Sequence, residues 1–96
     1  MQKYEKTKFT ERAQIMKALG HPVRLFIVDE LSRGEQCVCD LTEMVGLDVS
    51  TVSKHLLVLK NAGIVADERR GKQVFYGLRV RCVLNFFGCL ESVLNP

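Results

Sequence analysis

The sequence predicts a mainly α-helical domain with a small β-hairpin, in the order α-α-α-α-β-β-α that is typical of a winged helix-turn-helix. Two observations predict this fold. Apolar residues recur at helical spacing through most of the chain, and the spacing changes to a period of two around a glycine-containing turn at residues 71–72. At 96 residues the chain has the length of one domain, so residues 1–96 are treated as a single unit.

Two helices are predicted in the first third of the chain. Apolar residues fall on one face over residues 8–19, and Gly20 ends this segment. Pro22 then suits the first turn of a second helix, because its missing N–H costs nothing there. Gly34 stands at the expected C-terminal cap of that helix.

A helix-turn-helix is predicted over residues 38–62. Its short first helix, about 38–45, is closed by Gly46, and Asp48 is placed to cap the second helix, about 49–61, by accepting its free N–H groups. The residues expected to be buried on the second helix are Val52, Leu56 and Leu59. In such a motif the second helix enters the major groove of DNA with its first residues at the base edges.

Residues 63–79 are predicted to form a β-hairpin, the wing. Val74, Tyr76 and Leu78 alternate with Phe75 and Gly77, which is the period of a strand. The final segment, about 80–94, returns to a helix that is apolar nearly all round. A helix of this kind has to be buried, and a domain this small cannot easily cover it, so two copies are expected to cover each other.

Positive charge is concentrated in the middle of the chain. Residues 49–81 carry seven bases against two acids, whereas residues 1–48 and 82–96 each carry a net charge of −1. A basic stretch in a near-neutral chain suggests a surface for a polyanion, although a merely solvated face is an equally open interpretation. The predicted DNA contacts are Ser50, Thr51, Ser53, Lys54 and His55 on the fourth helix and Arg69, Arg70, Lys72 and Gln73 at the hairpin tip. His55 has a second interpretation, as a hydrogen-bond partner within the motif.

Several classes of protein are disfavoured. No run of 18 apolar residues is present, so no membrane-spanning helix is expected, and the first twelve residues have no apolar segment typical of a secretory signal. We therefore expect a cytoplasmic protein. An enzyme has little support, because the chain has two histidines, no nucleophile–base signature and no glycine-rich phosphate loop; no organic cofactor is implied.

The segment EQCVCDL, residues 35–41, carries the most specific chemistry. Cys37 and Cys39 flank Val38 and would face opposite ways on a helix, which makes a purely structural role awkward and favours a ligand or redox role. Soft thiolates select ions such as As(III), Sb(III), Cd(II) and Pb(II). Because residues two apart on a helix point about 200° apart, both sulfurs are expected to reach one ion only if the first turn unwinds.

Four segments together resemble the ArsR/SmtB family of bacterial metal-responsive repressors, over roughly residues 10–80. They are ALGHPVRLFIVDEL, EQCVCDL, STVSKHLLVLKNAGIV and RRGKQVFYGL. The resemblance implies a cytoplasmic bacterial or archaeal homodimer, built through terminal helices at about 1–20 and 80–96. It also implies that the dimer represses a promoter at an inverted-repeat operator in double-stranded DNA and is released when an inducer binds.

EQCVCDL is similar to the ELCVCDL metal box of the arsenite-, cadmium- and lead-responsive members, which makes Cys37 and Cys39 the implied metal ligands. As(III) or Sb(III) is the favoured inducer, ahead of Cd(II) and Pb(II), because the sensors of those two ions add cysteines from an N-terminal arm and residues 1–36 contain none. The third cysteine of the arsenic box is replaced by Thr42. A third thiolate is left to Cys82, Cys89, the partner chain or an exogenous thiol, and packing is an open alternative for Cys82 and Cys89.

Two alternatives to metal sensing stay open. In the first, Cys37 or Cys39 forms a disulfide or polysulfide bond, so that the repressor responds to redox state or reactive sulfur. In the second, the protein is an architectural DNA binder whose Cys-x-Cys is inert. The family's zinc site in the last helix is not expected, because the only histidines, His21 and His55, lie elsewhere.

Overall fold

The computed structural model describes residues 3–96 and has the predicted order of elements with one added strand. The helices are α1 (Lys6–Leu19), α2 (Pro22–Leu31), α3 (Val38–Val45), α4 (Val49–Asn61) and α5 (Asn85–Leu94), and a 3-10 turn at Arg81–Leu84 precedes α5. The strands are β1 (Gln36–Cys37), β2 (Val65–Arg70) and β3 (Gln73–Leu78). This arrangement confirms the mainly α-helical winged helix-turn-helix.

The ends of the helices follow from local side-chain chemistry. Asp48 caps α4, its carboxylate accepting the Thr51 N–H at 3.2 Å, and Gly46 ends α3 with a φ of 79° that favours glycine. His21 caps α2 through Nδ1, which accepts the Val23 N–H at 3.1 Å. The predictions for Asp48 and Gly46 are confirmed. The second helix ends at Leu31, two residues before the end at residue 33 that a cap at Gly34 implied.

The core fixes the angle between α3 and α4. Leu41 of α3 and Val52, Leu56 and Leu59 of α4 are fully buried, so the predicted inner face of α4 is confirmed. Residues of α2 and the hairpin complete the core, among them Ile27, Val28, Leu31, Val65 and Tyr76. Burial of each such aliphatic side chain contributes roughly 1.5–3 kcal/mol, which holds the N-terminus of α4 at a fixed position on the surface.

The sheet has three antiparallel strands in the order β1-β3-β2. The hairpin is the predicted one, with Gly71 at φ 64° in its two-residue turn, but β1 was not predicted. Gln36 pairs with Tyr76, and Cys37 pairs with Phe75. A strand of two residues has no periodicity to recognise, yet this one ties Cys37 to the backbone of the wing.

The terminal helices keep apolar faces exposed. In the described residues α5 has no buried side chain, so a single chain leaves the last helix uncovered, as the sequence predicted. The exposed apolar residues of these helices are Phe9, Ile15 and Met16 on α1 and Phe86, Leu90, Val93 and Leu94 on α5. This end is anchored by Val83, in the turn before α5, which is buried in the core, and by Leu84 and Phe87, which pack against the core.

Gly46 offers a test of the turn between α3 and α4. An added Cβ would meet no atom within 4 Å, so the cost of Gly46→Ala arises from the positive φ alone. We expect a loss of about 1 kcal/mol in the free energy of unfolding, measured by urea denaturation. Gly46→Asn should lose less, because asparagine tolerates the left-handed region better. Equal losses in the two variants would contradict this account.

Candidate nucleic-acid interface and cysteine site

Cys37 and Cys39 converge because they have different backbone conformations. Cys37 is extended, with φ −77° and ψ 156°, and is the N-cap of α3, while Cys39 lies in the first turn of that helix. Their Cα atoms are 5.3 Å apart and their sulfurs form a disulfide. The expectation that the two side chains diverge unless the turn unwinds is wrong, since Cys37 precedes the helix.

The two cysteines differ in exposure. Cys37 is 5% exposed and its Sγ accepts the Asp40 N–H at 3.2 Å, whereas Cys39 is open to solvent. One ligand atom from each of Cys37, Cys39 and Asp40 lies within 4.8 Å of the others. Across residues 3–96 this is the one such group of three metal-ligating side chains, and it includes neither Cys82 nor Cys89.

The cysteine pair lies in the wall of a cleft of ≈ 440 Å³ between the wing and the start of α4, here called the wing cleft. Its lining residues are Cys37, Val38, Cys39, Val49, Ser53, Asp67, Lys72, Gln73, Val74 and Tyr76. Burial raises the pKa of Tyr76, so this side chain contributes a neutral phenol. The Gln73 amide nitrogen is 4.0 Å from Cys39 Sγ. Three predicted DNA contacts, Ser53, Lys72 and Gln73, therefore share one cavity with the thiol site.

The first residues of α4 differ in whether their side chains are already hydrogen-bonded. The hydroxyls of Ser50 and Thr51 both donate to the Asp48 carboxylate, and these bonds lower its pKa to about 2. Both hydroxyl protons are therefore already used in hydrogen bonds of the helix cap. Ser53 and Lys54 are exposed, and within the described residues their side chains make no hydrogen bond or ion pair.

His55 faces the core side of α4. Its Nδ1 is 3.2 Å from Arg24 Nη1, and its ring lies 4.4 Å from that of His21. Desolvation, His21 and Arg24 together lower the pKa of His55. Arg24 also donates from Nε to the Ala18 carbonyl at 2.6 Å, so it joins the end of α1 to the motif. Of the two interpretations of His55, these contacts favour a hydrogen-bond partner inside the protein, but the partner Arg24 belongs to α2 and not to the helix-turn-helix. No local sequence signal singled out Arg24.

The bases of the wing are not equivalent. Arg70 donates to Glu68 at 2.7 Å and to Glu35 at 2.9 Å, bonds that raise its pKa, and its guanidinium stacks 4.8 Å above the ring of Phe75. Arg69 donates from Nε to the Gly71 carbonyl at 3.2 Å. Lys72 is exposed and has no ion pair within the described residues. Arg69 and Lys72 therefore both lack an acidic partner within the described residues, and Lys72 is the one whose side chain makes no hydrogen bond there either.

The arrangement of a capped helix, an exposed basic wing and a helix-turn-helix matches a known family. Residues 21–67 match the family model described as "Bacterial regulatory protein, arsR family". The structure also superposes on the transcriptional repressor BigR from Xylella fastidiosa with a TM-score of 0.80 and 34% identity, covering 95% of this chain and 93% of that one. The chain belongs to the ArsR family. Its members are DNA-binding transcriptional regulators rather than enzymes, as the sequence predicted.

Further similarities lie within the same family. The chain is 44% identical over 68 residues to a biofilm growth-associated repressor from Xylella fastidiosa, covering 71% of this chain and 60% of that protein. It is 42% identical over 67 residues to a homologue of the cadmium resistance regulatory protein CadC from Staphylococcus aureus, covering 69% and 55%. The chain thus matches little more than half the length of these curated relatives.

One similar protein of known structure is a homodimer. The solution structure of a homodimeric winged helix-turn-helix DNA-binding domain from Mycobacterium bovis has a TM-score of 0.81 to this ArsR-family chain at 28% identity, covering 99% of this chain and 91% of that one. In residues 3–96 no helix combines the length and apolar character needed to cross a membrane.

The environment of His55 predicts how stability depends on pH. Because folding lowers its pKa below 6.5, the unfolded chain binds the proton more readily, and stability present at neutral pH is lost as the pH falls below 6.5. We expect the melting temperature to fall between about pH 7.5 and pH 5.5. His55→Asn keeps an acceptor for Arg24 and does not titrate, so its melting temperature should fall less. Identical pH profiles for the two proteins would assign the effect to another group.

Proposed function

We propose that this ArsR-family chain is a cytoplasmic repressor of a metal(loid)-resistance operon, released from its operator when As(III) or Sb(III) binds the thiolates of Cys37 and Cys39. The observation that carries the proposal is that both sulfurs converge in a cleft whose other walls are the start of α4 and the tip of the wing. A ligand held there lies within the surface proposed to meet DNA.

The donor set favours a soft ion. Once reduced, Cys37 and Cys39 offer two thiolates whose backbone already directs them to one point, and As(III) and Sb(III) bind such ligands well. Cd(II) and Pb(II) rank second, and similarity to a cadmium resistance regulator keeps them in the comparison. Since Cys82 and Cys89 stand outside the cluster, a third thiolate would have to come from the partner chain or an exogenous thiol, or Cys82 or Cys89 would have to move to the pair.

The proposed functional unit is a homodimer. The exposed apolar faces of α1 and α5 would be removed from water if two copies packed through these helices, with residues of about 1–20 and 80–96 forming the interface. A homodimeric relative of the same fold supports this assembly. A two-fold axis would present two copies of α4 to an inverted-repeat operator in double-stranded DNA.

The bonded sulfurs favour a second candidate function. The same pair can close into a disulfide without any change in the course of α3, so the repressor would respond to oxidants or reactive sulfur rather than to a metal. The two functions predict different products. Metal induction leaves two thiols that can be titrated after the ion is removed, whereas oxidation leaves none at the pair.

Serine substitutions at the pair test the sensing role. Cys37→Ser and Cys39→Ser should bind operator DNA normally but fail to dissociate, because serine can cap α3 but binds soft ions poorly. The measurement is a fluorescence-anisotropy titration of promoter DNA with As(III), Sb(III), Cd(II), Pb(II), Zn(II) and tetrasulfide in turn, under anaerobic reducing conditions.

Matched controls are available at the other two cysteines. Cys82→Ser and Cys89→Ser should respond to As(III) like the wild type if the third ligand is exogenous. Normal release of Cys37→Ser or Cys39→Ser by As(III) would place the sensing site elsewhere in the chain.

Substitution of Lys54 and Lys72, whose side chains make no ion pair within the described residues, tests the proposed DNA-binding surface. Lys54→Ala and Lys72→Ala should each weaken operator binding and reduce the slope of log K against log salt by about 1, as expected for one lost phosphate contact. Arg70→Gln removes a charge of the same sign that is already paired with Glu35 and Glu68, so its slope should change less. A larger change for Arg70→Gln than for Lys72→Ala would contradict the assignment.

A further inference from the structure

We propose that the wing cleft binds an anionic low-molecular-weight thiol, carried as a mixed disulfide on Cys39, and that this adduct competes directly with DNA. The inference rests on the proposed DNA-binding function and concerns the same cleft. Cys39 lies in the wall of the same cavity as Ser53 of α4 and Lys72 and Gln73 of the wing.

The unequal exposure of the two cysteines decides which sulfur reacts. Cys39 is open to solvent, while Cys37 is buried and pairs with Phe75 of the neighbouring strand β3. An incoming thiolate therefore reaches Cys39 first. Cys37 is suited to be the leaving group, because the Asp40 N–H already donates to its Sγ and would stabilise the negative charge that develops there.

The exchange is balanced without any further oxidant. A thiolate RS⁻ attacks Cys39 Sγ, an S–S bond forms between R and Cys39, and the Cys37–Cys39 bond breaks. The electron pair of the broken bond remains on Cys37 as a thiolate. Reversal, in which Cys37 attacks Cys39 and expels RS⁻, restores the intramolecular disulfide and makes the modification reversible.

The charges of the wing cleft indicate the chemical class of the thiol. Asp67, the one acid in its lining, is paired with Lys60 at 3.0 Å, whereas Lys72 has no such partner within the described residues. The Asp40 carboxylate lies outside the lining but within 4.8 Å of both sulfurs and repels an anion there, so the favourable charge for an anionic thiol is that of Lys72. Ser53 and Gln73 offer hydrogen bonds beside it. A cavity of ≈ 440 Å³ lies in the usual range for small-molecule sites, so a carboxylate-bearing thiol of peptide size is the expected occupant.

An adduct of this size would occupy the space between α4 and the tip of the wing. Its carboxylates would take the place of a phosphate at Lys72, and its bulk would stand beside Ser53. Loss of DNA binding then requires no change in the fold of α3. A small neutral group on the same sulfur would leave both features of the DNA surface available.

The test uses a protein with Cys39 as its single cysteine, Cys37→Ser/Cys82→Ser/Cys89→Ser, which cannot resolve the adduct. Glutathione disulfide supplies a large anionic adduct and methyl methanethiosulfonate a small neutral one, each verified by mass spectrometry. We expect the glutathione adduct to weaken operator binding about tenfold or more and the methylthio adduct to leave it within about twofold. The matched protein that retains only Cys37 should react with glutathione disulfide about tenfold more slowly.

The outcomes separate this inference from the function on which it rests. Failure of the unmodified single-cysteine protein and of the wild type to bind operator DNA would contradict the proposed function. Normal operator affinity of the glutathione adduct, or equal weakening by both adducts, would overturn the inference alone. A second measurement uses the unmodified single-cysteine protein: saturating operator DNA should slow its reaction with glutathione disulfide at Cys39, and an unchanged rate would also overturn the inference.

Discussion

The structure of the candidate site depends on the extended backbone of Cys37. This residue ends β1, pairs with Phe75 of the wing, and caps α3, so its conformation is set from two sides. Were it helical, its side chain would point about 200° from that of Cys39. Because it is extended, the sulfurs meet, with Cys37 buried and Cys39 exposed.

This geometry changes the physical account of how a ligand could act on DNA binding. Unwinding of α3 would have to break the hydrogen bond of its cap and disturb the packing of Leu41, which is fully buried. Occupation of the wing cleft breaks neither. It acts instead on Ser53, Lys72 and Gln73, the exposed residues that face the same space. A ligand that meets the DNA surface directly needs no conformational relay, and its effect grows with its size and negative charge.

The features that the sequence could predict depend on contacts between residues close together in the chain. Asp48 and Gly46 act through neighbours within three or four residues, and the inner face of α4 follows from its 3.6-residue period, so both were accessible from spacing. The pairing of Cys37 with Phe75 and the contact of Arg24 with His55 join positions more than 30 residues apart. No local sequence pattern indicates contacts over such a distance, so strand β1 and the contact of His55 with Arg24 could be identified only from the structure.

The same distinction applies to charge. The sequence shows a basic segment, but the electrostatic surface depends on which bases lack an acidic neighbour, and that is a property of the fold. Arg70 is held by Glu35, from outside the wing, and Lys60 by Asp67, so both charges are largely offset locally. Exposed pairs of this kind stabilise the fold little. Their larger effect is on the field that DNA or an anionic ligand meets, because the other bases of α4 and the wing, Lys54, Arg69, Lys72 and Arg79, have no acidic partner within the described residues.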